Sequence, residues 1–268
     1  MQTSTLTVKL TDEQLASFHD NGYFVVEDLV APDAVERLRQ RVRQYTHDGR
    51  HAPDPIALQT EPRVTRGELK VDHPGDGIRK INQLVEGDDL FNQLGKNANI
   101  VSILEQILGP DIKMFRNATL MKPPGVGSPK GMHQDSPYWT IEPMALCSCW
   151  FALDDATSEN GCMAVLPGWH KKGPLPHVRV TDDYVVDPDH YDMNDTVLAP
   201  VKAGGGLFFH SLLPHYTGPN QSQAWRRAIA LSYMSAKSKY TGKGECPQYT
   251  NIKGKTFPGA VRGMDRNP

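Results

Sequence analysis

The chain has 268 residues and carries 29 Lys and Arg against 31 Asp and Glu. That near-neutral balance excludes the basic footprint of a protein that binds nucleic acid or an anionic membrane by charge. Hydrophobic residues at 38% suffice for a core, while 23 Gly and 21 Pro punctuate the chain too densely for a helical bundle.

In chain order, Thr11 followed by Asp12, Glu13 and Gln14 reads as a capped helix start, with the helix running through Phe18 and stopped by Gly22. Tyr23, Phe24, Val25 and Val26 then make a short strand. Pro32 opens a second helix, because Val35, Leu38, Val42 and Tyr45 recur at helical spacing. Residues 47–65, rich in Pro, His and Asp, read as an irregular surface segment. A third helical region is expected over 89–108, where Phe91, Leu94, Ala98, Val101, Leu104 and Leu108 form one stripe.

After Gly109 the pattern changes to short strands bounded by turn residues, at 112–121, 145–153, 161–166, 206–210 and 228–234. Strands at that spacing without intervening helices argue for an antiparallel barrel or jelly roll. Residues 181–196 contain six Asp and few apolar residues, and read as an exposed excursion. The expected organisation is one domain over 1–268: a helical part over about 1–110, a jelly-roll core over about 111–236 and a C-terminal tail at 237–268.

Two His-x-Asp triplets occur, His133-Gln134-Asp135 and His190-Tyr191-Asp192. On a strand, residues two apart share a face, so either triplet offers two metal ligands at once. The first is preferred: it precedes the strongest strand and leaves room for several strands before a third ligand returns. That third ligand is sought in the run 204–218, where His210 and His215 both stand. Eleven residues beyond His215 comes Arg226, an Arg able to fork a carboxylate. Two His and one carboxylate on one face of a metal are the pattern of non-haem iron(II) oxygenases.

The runs HQDSPYW (133–139), WFALDDATSENGCMAVLPGWH (150–170) and GGGLFFHSLLPHYTGPNQSQAWRRAIALSY (204–233) resemble the phytanoyl-CoA dioxygenase family of Fe(II)/2-oxoglutarate oxygenases. The opening LTDEQLASFHDNGYFVVEDLV (10–30) is similar to that family as well. The resemblance implies a double-stranded β-helix fold, mainly β with α decoration. It makes His133, Asp135 and His215 the iron ligands, with His215 chosen over His210. It gives Arg226 the distal carboxylate of 2-oxoglutarate, with Lys80 and Trp150 beside the cosubstrate. His170 matches a family position preceded here by Trp169, in place of a small residue. Asn117, Tyr138, Trp139 and His170 are substrate-pocket candidates, and His210 is read as a structural neighbour of the site.

The activity so implied uses Fe(II), 2-oxoglutarate and O₂ to oxidise, and most simply to hydroxylate, an aliphatic C–H bond of a small molecule, with succinate and CO₂ as co-products. Asp135 stands where related halogenases have Gly or Ala, which favours hydroxylation over halogenation and leaves desaturation, ring formation and epimerisation open. Two rival classes are a non-catalytic cupin-like binding module and a metal-dependent hydrolase or isomerase on the same fold. The longest apolar run, 145–153, is interrupted by Ser148 and is too short for a membrane span. The first ten residues carry no secretory pattern, and the Cys at 147, 149, 162 and 246 lack zinc-site spacing. A cytoplasmic protein with reduced thiols, without nucleic-acid or membrane partners, is the expectation.

Overall fold

The computed structural model describes residues 8–181 and 183–265. The first helix, Asp12–Asp20, starts on a reciprocal cap: Thr11 Oγ1 accepts from Gln14 N at 3.1 Å, and Gln14 Oε1 accepts from Thr11 N at 3.0 Å. Gly22 closes it at φ +86°, where a side chain would also strike His170 Nδ1. Strand Tyr23–Val26 and helix Pro32–Thr46 follow, and the helix buries all four residues of its stripe.

The helical region expected over 89–108 is two helices, Asp89–Gly95 and Ala98–Leu108. The break is chemical. Asn97 turns its side chain back to accept from the backbone N–H groups of Asn99 and Ile100, so it caps a new helix instead of continuing the old one. The segment expected to be irregular, 47–65, holds strand Ala57–Thr60 and the single turn Pro62–Thr65. That strand is exposed along most of its length, so it carries no alternation to betray it.

Among the described residues the β-structure forms two main sheets and two two-stranded pairs, His177–Val180 with Asp183–Val186 and Ile141–Glu142 with Lys239–Tyr240. The larger runs in the order Tyr23–Val26, Gly206–His210, Cys147–Ala152, Arg226–Ser235, Ile112–Lys122, Gln248–Lys253 and Arg262–Met264. Strand Ile78–Asn82 joins it along the far half of Ile112–Lys122 and in turn pairs with Ala57–Thr60. The smaller sheet is Val197–Ala199, Met163–Val165, His215–Thr217 and Lys130–His133. The chain thus forms a mainly β jelly roll flanked by helices. The segment 237–268, expected as a tail, adds Gln248–Lys253 and Arg262–Met264 to the large sheet; both are short and mostly polar, which hid them.

Register assigns each side chain to a face. Ile229, Leu231, Phe151, Cys149 and Phe208 turn to the outer face and pack on the helices in the main core. Ala228, Trp150, Ala152, Leu207 and Phe209 turn inward, where Met163, Val165 and Ala199 of the small sheet meet them. Among the described residues, no helix is long and apolar enough to cross a membrane.

Asp88 ties the helical layer together. It is 3% exposed, caps helix Asp89–Gly95 through Leu90 N at 2.9 Å, and accepts from Tyr45 at 2.6 Å and from Arg41. Burial works to raise its pKa, but the Tyr45 and Arg41 hydrogen bonds outweigh burial and hold it below the usual carboxylate value. Asp88→Ala should destabilise the fold by about 3 kcal/mol, because it leaves a buried hydroxyl and a helix end unpaired. In a chain of this size that is roughly 6–12 °C in Tm by thermal denaturation at pH 7. A lowered folded-state pKa contributes above the unfolded value and is lost as pH falls through the folded one, so the difference between the two proteins should close below about pH 4.

Candidate metal centre and the interior beside it

His133 ends strand Lys130–His133 and His215 begins strand His215–Thr217, and the two residues lie directly opposite each other in the antiparallel register. Both rings therefore point inward, with centroids 4.2 Å apart. Asp135 follows as the chain leaves its strand into the turn Ser136–Tyr138. Its position is set by backbone bonds: Asp135 N and Ser136 N both donate to Ser211 O, at 2.9 and 3.0 Å. The buried Gln134 amide donates to Leu212 O at 2.7 Å and to Gly173 O at 2.9 Å, and its oxygen accepts from Leu175 N at 2.8 Å. One ligand atom from each of His133, Asp135 and His215 lies within 4.8 Å of the others.

The tautomers follow from the second nitrogen of each ring. His133 Nδ1 donates to Gly131 O at 2.8 Å and His215 Nδ1 donates to Leu213 O at 2.9 Å, which leaves both Nε2 lone pairs free. Burial lowers the pKa of both imidazoles and keeps them neutral, as metal ligation requires. Two neutral nitrogens and one carboxylate on one side fit a divalent transition metal with the opposite side open. The second triplet assembles nothing comparable: His190 sits 3.6 Å from Asp187, and Asp192 caps a turn through Asn194 N.

Deeper in the barrel lies Arg226, 2% exposed and on the inner face. Among the described residues its Nε has no hydrogen-bond partner, and Nη1 makes only a long 3.5 Å contact to Leu120 O. The guanidinium carbon is 5.3 Å from the centroid of the Trp150 ring, whose own buried Nε1 also lacks a partner. Burial pulls the Arg226 pKa down to about 10, which leaves it charged at neutral pH. A buried cation with unused donors fits an anion from outside the chain. Arg227 points the other way and is neutralised by Asp154 through bonds of 2.8 and 2.9 Å.

Lys80 is half-buried on strand Ile78–Asn82, opposite Leu120, with no hydrogen bond or ion pair among the described residues. Burial, then Arg116, pulls its pKa down to about 8, against the opposing pull of Asp135. Trp139 is 9% exposed with its ring centroid 4.5 Å from that of Phe115, and the exposed Tyr138 donates to Tyr184 O at 3.1 Å. Tyr138 lies within the turn that follows Asp135 and Trp139 comes directly after it, packed in a cluster with Ile141, Leu146, Met234 and Tyr249.

Three expected site residues are not brought to this interior. Asn117 faces the helical layer, where it accepts from Val85 N at 3.0 Å and donates to Glu86 at 2.6 Å. Strand alternation decides this, because Asn117 pairs with the outward Leu231. His170 is carried outward by the left-handed Gly168 and packs near the first helix, with Nε2 3.2 Å from His19 O. His210 shares the outward face of Phe208; its ring neighbours are Phe18 and His170, and burial holds its pKa at about 4. Phe209, one residue earlier, is the side chain that packs on His215, at 4.8 Å between centroids.

Two residues passed unnoticed in the sequence. Thr217 shares the inward face of His215 two residues along. Lys122, 5% exposed and directly opposite Arg226, donates to Ser128 O at 2.6 Å, to Thr217 O at 3.3 Å and to Gly218 O. Burial, then Arg226, pulls its pKa down to about 6. It fastens the end of the His215 strand to strand Ile112–Lys122, which pairs with the Arg226 strand. The only signal for it was its place two residues beyond Leu120 and four beyond Ala118, on the inward period of that strand.

A family model described as phytanoyl-CoA dioxygenase (PhyH) matches residues 18–228. The human protein "Phytanoyl-CoA dioxygenase, peroxisomal" is 29% identical over 241 residues, covering 86% of this chain and 70% of that protein. Among solved structures, the non-heme monooxygenase ThoJ in its apo form aligns with a TM-score of 0.73 at 22% identity, covering 94% of this chain and 87% of that one. The epimerase SnoN, in complex with Fe3+, alpha ketoglutarate and nogalamycin RO, aligns with a TM-score of 0.67 at 19% identity, covering 94% of both chains.

Anaerobic titration with Fe(II), followed by calorimetry, should give one site per chain. Asp135→Ala and His215→Ala should weaken it by more than about 100-fold, beyond the range of supporting residues. His170→Ala and His210→Ala should leave it unchanged, and tight metal binding by the His215→Ala protein would refute the assignment.

Proposed function

The chain belongs to the phytanoyl-CoA dioxygenase family, and from that premise we propose that it is an iron(II)- and 2-oxoglutarate-dependent oxygenase that hydroxylates an aliphatic C–H bond of a small molecule. The observation that carries this reading is Arg226: a buried, unpaired guanidinium in the same barrel as a two-His, one-carboxylate cluster. A hydrolase or isomerase built on that cluster has no use for a second, carboxylate-shaped anchor. A lapsed binding module has no reason to keep both.

In this reading His133, Asp135 and His215 hold the iron by one side and leave the other open to ligands. Arg226 grips the distal carboxylate of 2-oxoglutarate bidentately, as only a guanidinium fork can. Trp150 walls the diacid and offers its free N–H, while Lys80 adds positive potential near Asp135. Lys122 keeps Arg226 at a fixed reach from His215 by tying the end of the His215 strand to the strand paired with Arg226. Leu120, Ala228, Ala230 and Leu207 make the walls apolar, which excludes water and strengthens every charged contact inside. Iron(II) bound there with 2-oxoglutarate and O₂ supplies the oxidising power, the diacid leaving as succinate and CO₂. The substrate enters past Tyr138 and Trp139. The carboxylate of Asp135 fills the ligand position that related halogenases leave without one, in keeping with hydroxylation. The reading also places the protein in the cytoplasm, which suits the buried free thiols of Cys147, Cys149 and Cys162.

Anaerobic titration of the Fe(II)-loaded protein with 2-oxoglutarate should produce the weak visible metal-to-ligand charge-transfer band. Arg226→Ala should weaken 2-oxoglutarate binding by about 100-fold, since it removes a buried charged pair. Lys122→Met should weaken it by about tenfold with Fe(II) affinity intact, and Lys122→Arg should recover part of the loss. Iron binding with no band at any 2-oxoglutarate concentration would defeat the reading.

A further inference from the structure

The inner face of strand Ile112–Lys122 reads Lys122, Leu120, Ala118 and Arg116, each assigned by its partner on strand Arg226–Ser235. Arg116 lies opposite Ser232, which lies opposite Ser148, and those two hydroxyls satisfy each other at 3.0 Å. Arg116 is exposed and has no hydrogen bond or ion pair among the described residues. Its guanidinium carbon stands 6.0 Å from the Trp139 ring centroid, and that ring packs in turn on Phe115. Trp139 is fixed relative to the metal cluster, because its N–H donates to Ser136 O at 2.9 Å within the turn that presents Asp135. An unpaired cation over an aromatic ring therefore stands on the inner face, within electrostatic reach of Lys80, which also feels Asp135.

The charges around the cluster sharpen this. Asp183 is the acid beside Lys130 and is paired with it, while Glu86 is engaged by Asn117 and Thr250 on the outer face. Asp135 is thus the carboxylate left to act on Lys80, and it is a metal ligand. With iron and the diacid in place, Asp135 and 2-oxoglutarate bring three negative charges. The metal, Arg226, Lys80 and Arg116 bring five positive ones. The assembled site is left two charges positive, with Arg116 as its exposed inward cation.

We propose, on the footing of the oxygenase reading above, that the substrate carries an anionic acid group, a carboxylate or a phosphate, bound by Arg116 with its aliphatic part laid against Trp139 and Phe115. The acid end fixes orientation and the apolar end presents its C–H bonds to the metal. A neutral or cationic metabolite would leave Arg116 unused and the excess charge unbalanced. Two donors of the guanidinium fork suit either acid, and the aromatic wall beneath selects a substrate with a flat or extended apolar segment.

The test uses the Fe(II)- and 2-oxoglutarate-loaded protein without oxygen and four matched probes: hexanoate, hexyl phosphate, hexan-1-ol and hexylamine. Binding is read by calorimetry, with the charge-transfer band followed in parallel. An acid probe should bind at least about tenfold more tightly than hexan-1-ol, with hexylamine weakest, and the tighter of the two acids identifies the group. Arg116→Gln should erase the preference while leaving the band and its 2-oxoglutarate dependence as in the parent protein; Arg116→Lys should keep part of it. Equal binding of acid and alcohol, with the band present, overturns this inference and spares the oxygenase reading. Bleaching of the band by hexanoate places the acid on the cosubstrate's cation and overturns it too. Absence of the band in the parent protein overturns both.

Discussion

The site depends on one pairing, strand Lys130–His133 against strand His215–Thr217 with His133 opposite His215. A slip of one residue would turn one imidazole to the wrong face of the small sheet and leave a single nitrogen inside. The register is held by Ser211, fully buried four residues before His215. Its carbonyl accepts from both Asp135 and Ser136, while its hydroxyl bonds Ser136 at 2.6 Å and accepts from Leu146 N at 3.1 Å. The turn that leads into one ligand is therefore the acceptor that positions another. The three ligands behave as one unit, coupled through hydrogen bonds as well as through the metal they suit.

The second constraint is electrostatic. A guanidinium that is 2% exposed and lacks a carboxylate is expensive to keep, because burial takes away water without returning an anion. Folding tolerates it here because the hydrophobic core is large and lies mostly elsewhere, on the outer face beneath the helices. The inner face is where small and polar residues collect: Ala228, Ala230, Ser148, Ser232 and Arg226. Stability and function are thus divided between the two sides of one sheet. The side chains that face the helices hold it together, and those that face inward leave space and unpaired donors.

Much of this was legible in the residues. Strand 206–210 was marked by its bounding turn residues and the stripe of the second helix by its periodicity, and the first His-x-Asp triplet stands where the structure assembles a cluster. What stayed hidden has identifiable causes. Strands Lys130–His133 and His215–Thr217, which carry the two imidazoles, are four and three residues long, too short for alternation to register. Asn117 was misplaced because the face of a strand residue depends on its partner register, which no local pattern reports; counting from the inward Arg226 needs the alignment with Lys122. His170 was a candidate by its match to a family position, and the left-handed turn at Gly168 that carries it away from the cluster leaves no trace beyond a glycine. Lys122 was passed over because a lysine is normally read as solvated, whereas here its amine is spent on carbonyls that join two strands.

Strand Ile112–Lys122 shows how burial alone can give two cations different work. Lys122 sits at its dry end, where desolvation and Arg226 push its pKa down to about 6, and its amine is spent on three backbone carbonyls. Arg116, at the wet end of the same inner face, meets no such penalty and keeps an unspent charge. Between them Leu120 and Ala118 hold a short apolar stretch with a low local dielectric. The deep end presents a buried guanidinium without a carboxylate, and the wet end an exposed one near the buried ring of Trp139, so the two cations differ by desolvation and not by charge.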